Sequence, residues 1–176
     1  MYCQCTKGNQ FNVVGLGDVK SFDQTAGPNA WTQTTISEIL PLPDCYPEIE
    51  SIERIYINPV VNNVRFVKTP VPTEAGDPNE EGFTITGNKI IVNGNLCQTI
   101  VYTAADCEQT LHSINFKYPF CVSIILPPTE GDVDPAKEEY CANILIEDVY
   151  AKALNPRTIC KCVTMFVVPE IAVITC

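Results

Sequence analysis

Positive charge is scarce in this chain, and histidine and tryptophan are scarcer still. The 176 residues hold 11 Lys and Arg against 21 Asp and Glu, a net charge of −10, with one His and one Trp. Nucleic-acid partners are excluded on that balance, because their phosphates must be neutralised by Lys and Arg. Anionic membrane surfaces are disfavoured for the same reason. No apolar run approaches the roughly 18–20 residues of a membrane span. The opening MYCQCTKGNQ lacks a basic stretch followed by an apolar one, so no secretory signal is expected. GxSxG, HExxH, P-loop and dinucleotide-binding signatures are all missing. Gly15-Leu16-Gly17-Asp18 is a GxG fragment without the third glycine or a following helix. The lone His112 could serve a thiol such as Cys121 as base, but nothing local supports that pair. Glu147 and Asp148 are adjacent, so on a strand they point to opposite faces and form no dyad. Asp132 and Asp134 carry oxygens that suit calcium, yet they read more simply as part of a solvated acidic loop, as does EAGDPNEE at 74–81. We expect no enzyme and no cofactor.

Cysteine, by contrast, is abundant. There are ten, with Cys3 and Cys5 near one end of the sequence and Cys160, Cys162 and Cys176 near the other. A domain of about 150 residues already hides roughly 68–70% of its surface, so thiols are not needed to rescue its core. Thiols in the end segments can reach beyond their own domain, which points to covalent assembly. The pairs are CxC, and the CxxC knuckle usual in structural zinc sites does not occur, so no metal is expected. Cys45, Cys97, Cys107, Cys121 and Cys141 are scattered between these ends. They read as core thiols or internal disulfides; Cys97 and Cys121 are the strongest core candidates and Cys107, after Asp106, the most exposed.

Hydrophobic content of 45% with 18% charged residues marks a globular chain. Runs rich in Val, Ile, Thr, Tyr and Phe recur between Pro, Gly, Asn and Asp clusters, a β pattern. Strands are predicted near 11–16, 31–40, 52–58, 62–69, 83–86, 89–93, 96–104, 110–117, 121–126, 142–153, 157–168 and 170–175. Segment 142–153 has helical propensity as well, and strand is preferred. Asn93-Gly94 signals a hairpin turn and Gly87-Asn88 another tight turn. Fourteen prolines discourage long helices. The expectation is an all-β protein, a single jelly-roll-like β-sandwich over residues 11–176 behind an extended N-terminal arm, residues 1–10.

Five segments together resemble the SPOCS domain of clostridial-type sporulation proteins. They are LPDCYPEIESI at 42–52, GNKIIVNGNLCQTIVYTA at 87–104, LHSINFKYPFCVSIILP at 111–127, ILIEDVYAKAL at 144–154 and RTICKCVTMFVV at 157–168. The likeness spans about residues 40–168 and implies a spore-coat or spore-surface role. The chain has no recognisable peptidoglycan-binding domain, so a cortex-tethering role is not expected. Its layout, a Cys-bearing arm before one β-domain, is similar to that of endospore appendage pilins, whose arms form disulfides to neighbouring subunits.

On an extended strand Cys160 and Cys162 share a face with Cα atoms about 6.6–6.8 Å apart, at the upper edge of disulfide geometry. They should not bridge each other, and the same holds for Cys3 and Cys5. The expected arrangement brings an arm beside a neighbour's strand by strand addition. Cys3 and Cys5 then bond to acceptors among Cys160, Cys162 and Cys176. The function expected is a structural subunit of a spore-surface assembly, a self-assembling disulfide-cross-linked fibre whose main partner is itself. Other spore-coat proteins are further partners. The subunit would be made in the mother-cell cytoplasm and exposed on the spore surface after lysis. The alternatives are a non-polymerising coat module that recruits another coat protein or a glycan, and a soft-metal or redox Cys protein.

Overall fold

A computed structural model describes residues 11–18, 30–71, 84–127 and 135–171. Among these residues seven strands run in chain order: β1 (Asn12–Val14), β2 (Thr32–Pro41), β3 (Ile49–Lys68), β4 (Asn88–Ala104), β5 (Leu111–Ile125), β6 (Tyr140–Asn155) and β7 (Thr158–Ile171). A 3-10 turn at Pro135–Lys137 is the one helical element among the described residues. The strands form two sheets, β1-β3-β4-β5 and β2-β7-β6. They pack face to face as the β-sandwich that the composition and punctuation imply. Segment 142–153 is strand, within β6.

The elements are fewer and longer than the sequence punctuation suggests. Strand β4 runs straight through Asn93-Gly94, with every even position from Ile90 to Ala104 buried and every odd one half-buried. A two-residue hairpin there would break that alternation, so the core-facing pattern overrides the turn signal. Gly94 pairs with Phe120 of β5. A Cβ on it would collide with the Phe120 ring and stand 2.5 Å from Val60 O. Glycine here makes room for an aromatic ring inside a strand. Pro119 is passed without a break because β5 is an edge strand, with a ladder on its β4 side only. Gly87, at φ +77°, does turn the chain into β4, its carbonyl accepting from Thr69 N at 2.7 Å.

The predicted pieces 52–58 and 62–69 are one strand interrupted by a register shift between Val61 and Asn63. That bulge moves the core-facing residues from odd (Ile55, Ile57) to even (Val64, Phe66). A second shift between Ile146 and Asp148 does the same in β6 and takes up the Glu147-Asp148 pair. Glu147 accepts a hydrogen bond from Gln33 at 2.5 Å. The predicted strand at 83–86 does not form over its described part, 84–86. Pro169 lies inside β7, so 157–168 and the start of 170–175 are continuous.

Between the sheets, Ile90, Leu96, Ile100 and Tyr102 of β4 and Ile159, Val163, Met165 and Val167 of β7 are fully buried in one core. The loops 42–48, 105–110 and 156–157 gather at one end, tied by Leu42 N to Arg157 O at 2.8 Å and Ala105 N to Glu48 O at 2.8 Å. We call this the near end. Strand β1 runs parallel to β3 with Asn12 opposite Arg54, so the chain enters from the near side. Strand β7 finishes at the far end, where Ile171 pairs with Tyr140. Beyond β1 the chain crosses to the other sheet. Gly15, at φ +112°, allows a close pass over Ile57 O, and Gly17 N donates to Ile146 O at 2.8 Å.

Candidate functional site

Cysteine chemistry is the first candidate. Cys3, Cys5 and Cys176 lie outside the described residues, as does the arm 1–10. Cys45, Cys97, Cys107, Cys121, Cys141 and Cys162 are free thiols. Cys160 is buried and disulfide-bonded, and none of those six is its partner.

The reading of the five scattered cysteines as core thiols or internal disulfides is corrected. Cys45, Cys107, Cys121 and Cys141 are exposed and Cys97 is half-buried, all five unbonded. The physical reason is parity. In β4 the even positions face the core, so Cys97, between buried Leu96 and Gln98, points outward. In β5, Phe120 and Val122 face the core and Cys121 faces solvent. Cys45 and Cys107 sit in near-end loops, while Cys141 starts β6 at the far end.

Cys160 and Cys162 do share a face, the outer face of their sheet. Their strand β7 is central, with Cys160 between Ile39 and Lys152 and Cys162 between Ser37 and Tyr150. Both flanks are already paired, so no arm can dock beside it by strand addition, contrary to expectation. Cys162 is buried, its Sγ 3.4 Å from Ser37 Oγ.

A second cluster was not singled out in the sequence. Glu38 of β2 and Lys161 of β7 are fully buried between the sheets, with Lys161 Nζ 3.1 Å from Glu38 Oε1. Gln98 of β4, in the opposite sheet, donates from Nε2 to Glu38 Oε2 at 2.6 Å. Its Oε1 is buried without a partner. Burial pushes the Lys161 pKa below its ordinary value of 10.5, against the opposing pull of the Glu38 carboxylate. The signal was available in parity. Glu38 falls in the Ile36–Leu40 register, Lys161 in the Ile159–Val163 register and Gln98 in the Leu96–Ile100 register, each the polar member of an inward-facing apolar series.

His112 stacks on Tyr102, and its Nε2 lies 2.9 Å from Thr110 Oγ1. On the register, Tyr102 is its partner across the β4–β5 ladder, and Cys121 lies nine positions further along β5 facing outward. The structure therefore does not bring the two together. No group of three or more His, Cys, Asp or Glu side chains gathers as a metal set among the described residues. An open groove on the outer face of the four-stranded sheet is lined by Tyr56, Asn58, Cys97, Thr99, Asn115 and Lys117, among others.

Comparison with known proteins adds one finding. A family model described as SipL, SPOCS domain, matches residues 48–154, from the start of β3 to the end of β6. No curated protein and no solved structure matches the chain.

Proposed function

The chain belongs to the SPOCS domain family and is a sporulation-related protein, and on that premise we propose that it is a structural subunit of a spore-surface assembly. It self-associates into a fibre held by disulfides between subunits, and its role is structural and not catalytic. One observation carries this reading. The described chain enters the sandwich from the near end and leaves it at the far end, and free thiols are exposed at both, Cys45 and Cys107 at one and Cys141 at the other. Repetition of one such end-to-end contact on identical chains does not close and gives a filament. Cys3 and Cys5 precede the near-end entry and Cys176 follows the far-end exit, so a bond between them joins successive subunits. Cys160 is already disulfide-bonded and Cys162 is buried, so neither serves as an acceptor in the folded subunit.

The test is electron microscopy of the full chain after air oxidation, with and without reductant, beside a variant lacking residues 1–10. Fibres that require the arm and that resist denaturant only when oxidised are expected. A monodisperse monomer under every condition would overturn the proposal in favour of a coat-bound module that recruits a protein or glycan. Localisation on the spore surface follows from the proposal and is checked by antibody labelling of intact spores.

A further inference from the structure

The buried Lys161–Glu38–Gln98 cluster is costly as it stands. Two opposite charges without water gain little over an apolar pair of the same volume, and an unpaired amide oxygen beside them adds a further penalty. Burial disfavours the charged form of the Lys161 amine. Transfer of the Lys161 proton to Glu38 across their 3.1 Å contact leaves an uncharged amine and a carboxylic acid. A half-turn of the Gln98 amide exchanges its oxygen and nitrogen, so that the Glu38 acid donates to Oε1 and Nε2 takes the position without a partner. The arrangement is then a nucleophilic amine and a polarised amide carbonyl flanking one proton carrier, all buried between two sheets. Those are the elements of acyl transfer.

We propose that Lys161 and Gln98 join in an intramolecular isopeptide bond, formed once, with Glu38 carrying the protons. The lone pair of Lys161 Nζ attacks Gln98 Cδ, and the Glu38 acid donates to the carbonyl oxygen as charge develops there. One amine proton then passes through Glu38 to Nε2. The Cδ–Nε2 bond breaks, ammonia departs, and the carbonyl re-forms as a secondary amide. One C–N bond is made and one broken, nothing is oxidised or reduced, and Glu38 ends as a carboxylic acid donating to the new carbonyl. Water is excluded by Ile100 and Val163 beside the cluster, which protects the acyl centre from hydrolysis. The product is a covalent brace from β4 in one sheet to β7 in the other, independent of every disulfide and of whether the protein polymerises.

The experiment is intact mass spectrometry of the full chain, 19.4 kDa, after complete reduction and alkylation, followed by peptide mapping. The expected mass is about 17 Da below that of the sequence, the mass of ammonia, with the peptides carrying Lys161 and Gln98 recovered as one branched species. The full sequence mass, with both peptides recovered unlinked, overturns the proposal; so does a 17 Da loss that maps elsewhere. A Glu38→Gln variant, taken from the folded peak of a sizing column, should keep the full mass. The same loss in that variant would remove Glu38 from the chemistry.

Discussion

Substituting Gly94 by alanine separates two readings of the same dipeptide. If Asn93-Gly94 were a hairpin turn, the added methyl would point to solvent and cost about 1 kcal/mol, the penalty of left-handed backbone. Here Gly94 lies inside β4 under Phe120, and its φ is not in the left-handed region. A Cβ would overlap the ring edge and approach Val60 O to 2.5 Å, well inside the roughly 3.5 Å of an ordinary contact. The ring can swing, but the carbonyl belongs to a paired strand and cannot. Overpacking of this kind costs about 1–3 kcal/mol, and partial loss of Phe120 burial adds about 1 more. The expected total is about 2–4 kcal/mol, which lowers the melting temperature by roughly 10 °C in a domain of this size. Thermal unfolding followed by circular dichroism, with reductant present, measures it. A loss under about 1 kcal/mol would refute the continuous strand. Adding Phe120→Leu should recover the ring's share and leave the carbonyl's.

Timed iodoacetamide labelling with peptide mass analysis should modify Cys45, Cys107, Cys121 and Cys141 quickly, Cys97 more slowly and Cys162 only on unfolding; equal rates for Cys162 and Cys107 would contradict the burial. Arg157→Ala removes hydrogen bonds from Nη2 to Pro43 O at 2.8 Å and Tyr46 O at 3.2 Å, and should cost about 1–2 kcal/mol in chemical denaturation because the side chain is partly solvated. The Ser51 hydroxyl, and then that of Thr103, hold the Glu53 carboxyl below its ordinary value of 4.5. Its folded-state pKa is depressed, so its stabilisation is complete above pH 4.5 and is lost as pH falls through the folded value; Glu53→Gln should flatten that part of an acid titration.

The all-β class and the punctuated apolar runs were legible because β-branched and aromatic residues dominate every segment. Boundaries were harder to read, for a physical reason. Asn-Gly and Pro are turn residues only where the chain is free to turn, and in β4 and β5 an unbroken inward series from Ile90 to Tyr102 and from Ile114 to Ile124 outweighs them. Exposure of Cys97 and Cys121 was misread because Ile91, Val101 and Ile125 make the outer face apolar as well, which hides parity. The Lys161–Glu38–Gln98 cluster is spread over three strands and two sheets, with Gln98 and Lys161 63 positions apart in the sequence. Only the sheet packing brings them to one point.

The opposite exits of the chain also set how the domain meets mechanical tension. A pull along the long axis acts on β7 toward the far end, and β7 is laddered to β2 on one side and β6 on the other. Its rungs are loaded together in shear, so none can open without the rest. At the other end the pull falls on β1, which pairs with β3 over three residues only, Asn12 to Val14. That short pairing is where the domain yields first, letting out the strap up to Gly17 while the sandwich behind it stays closed.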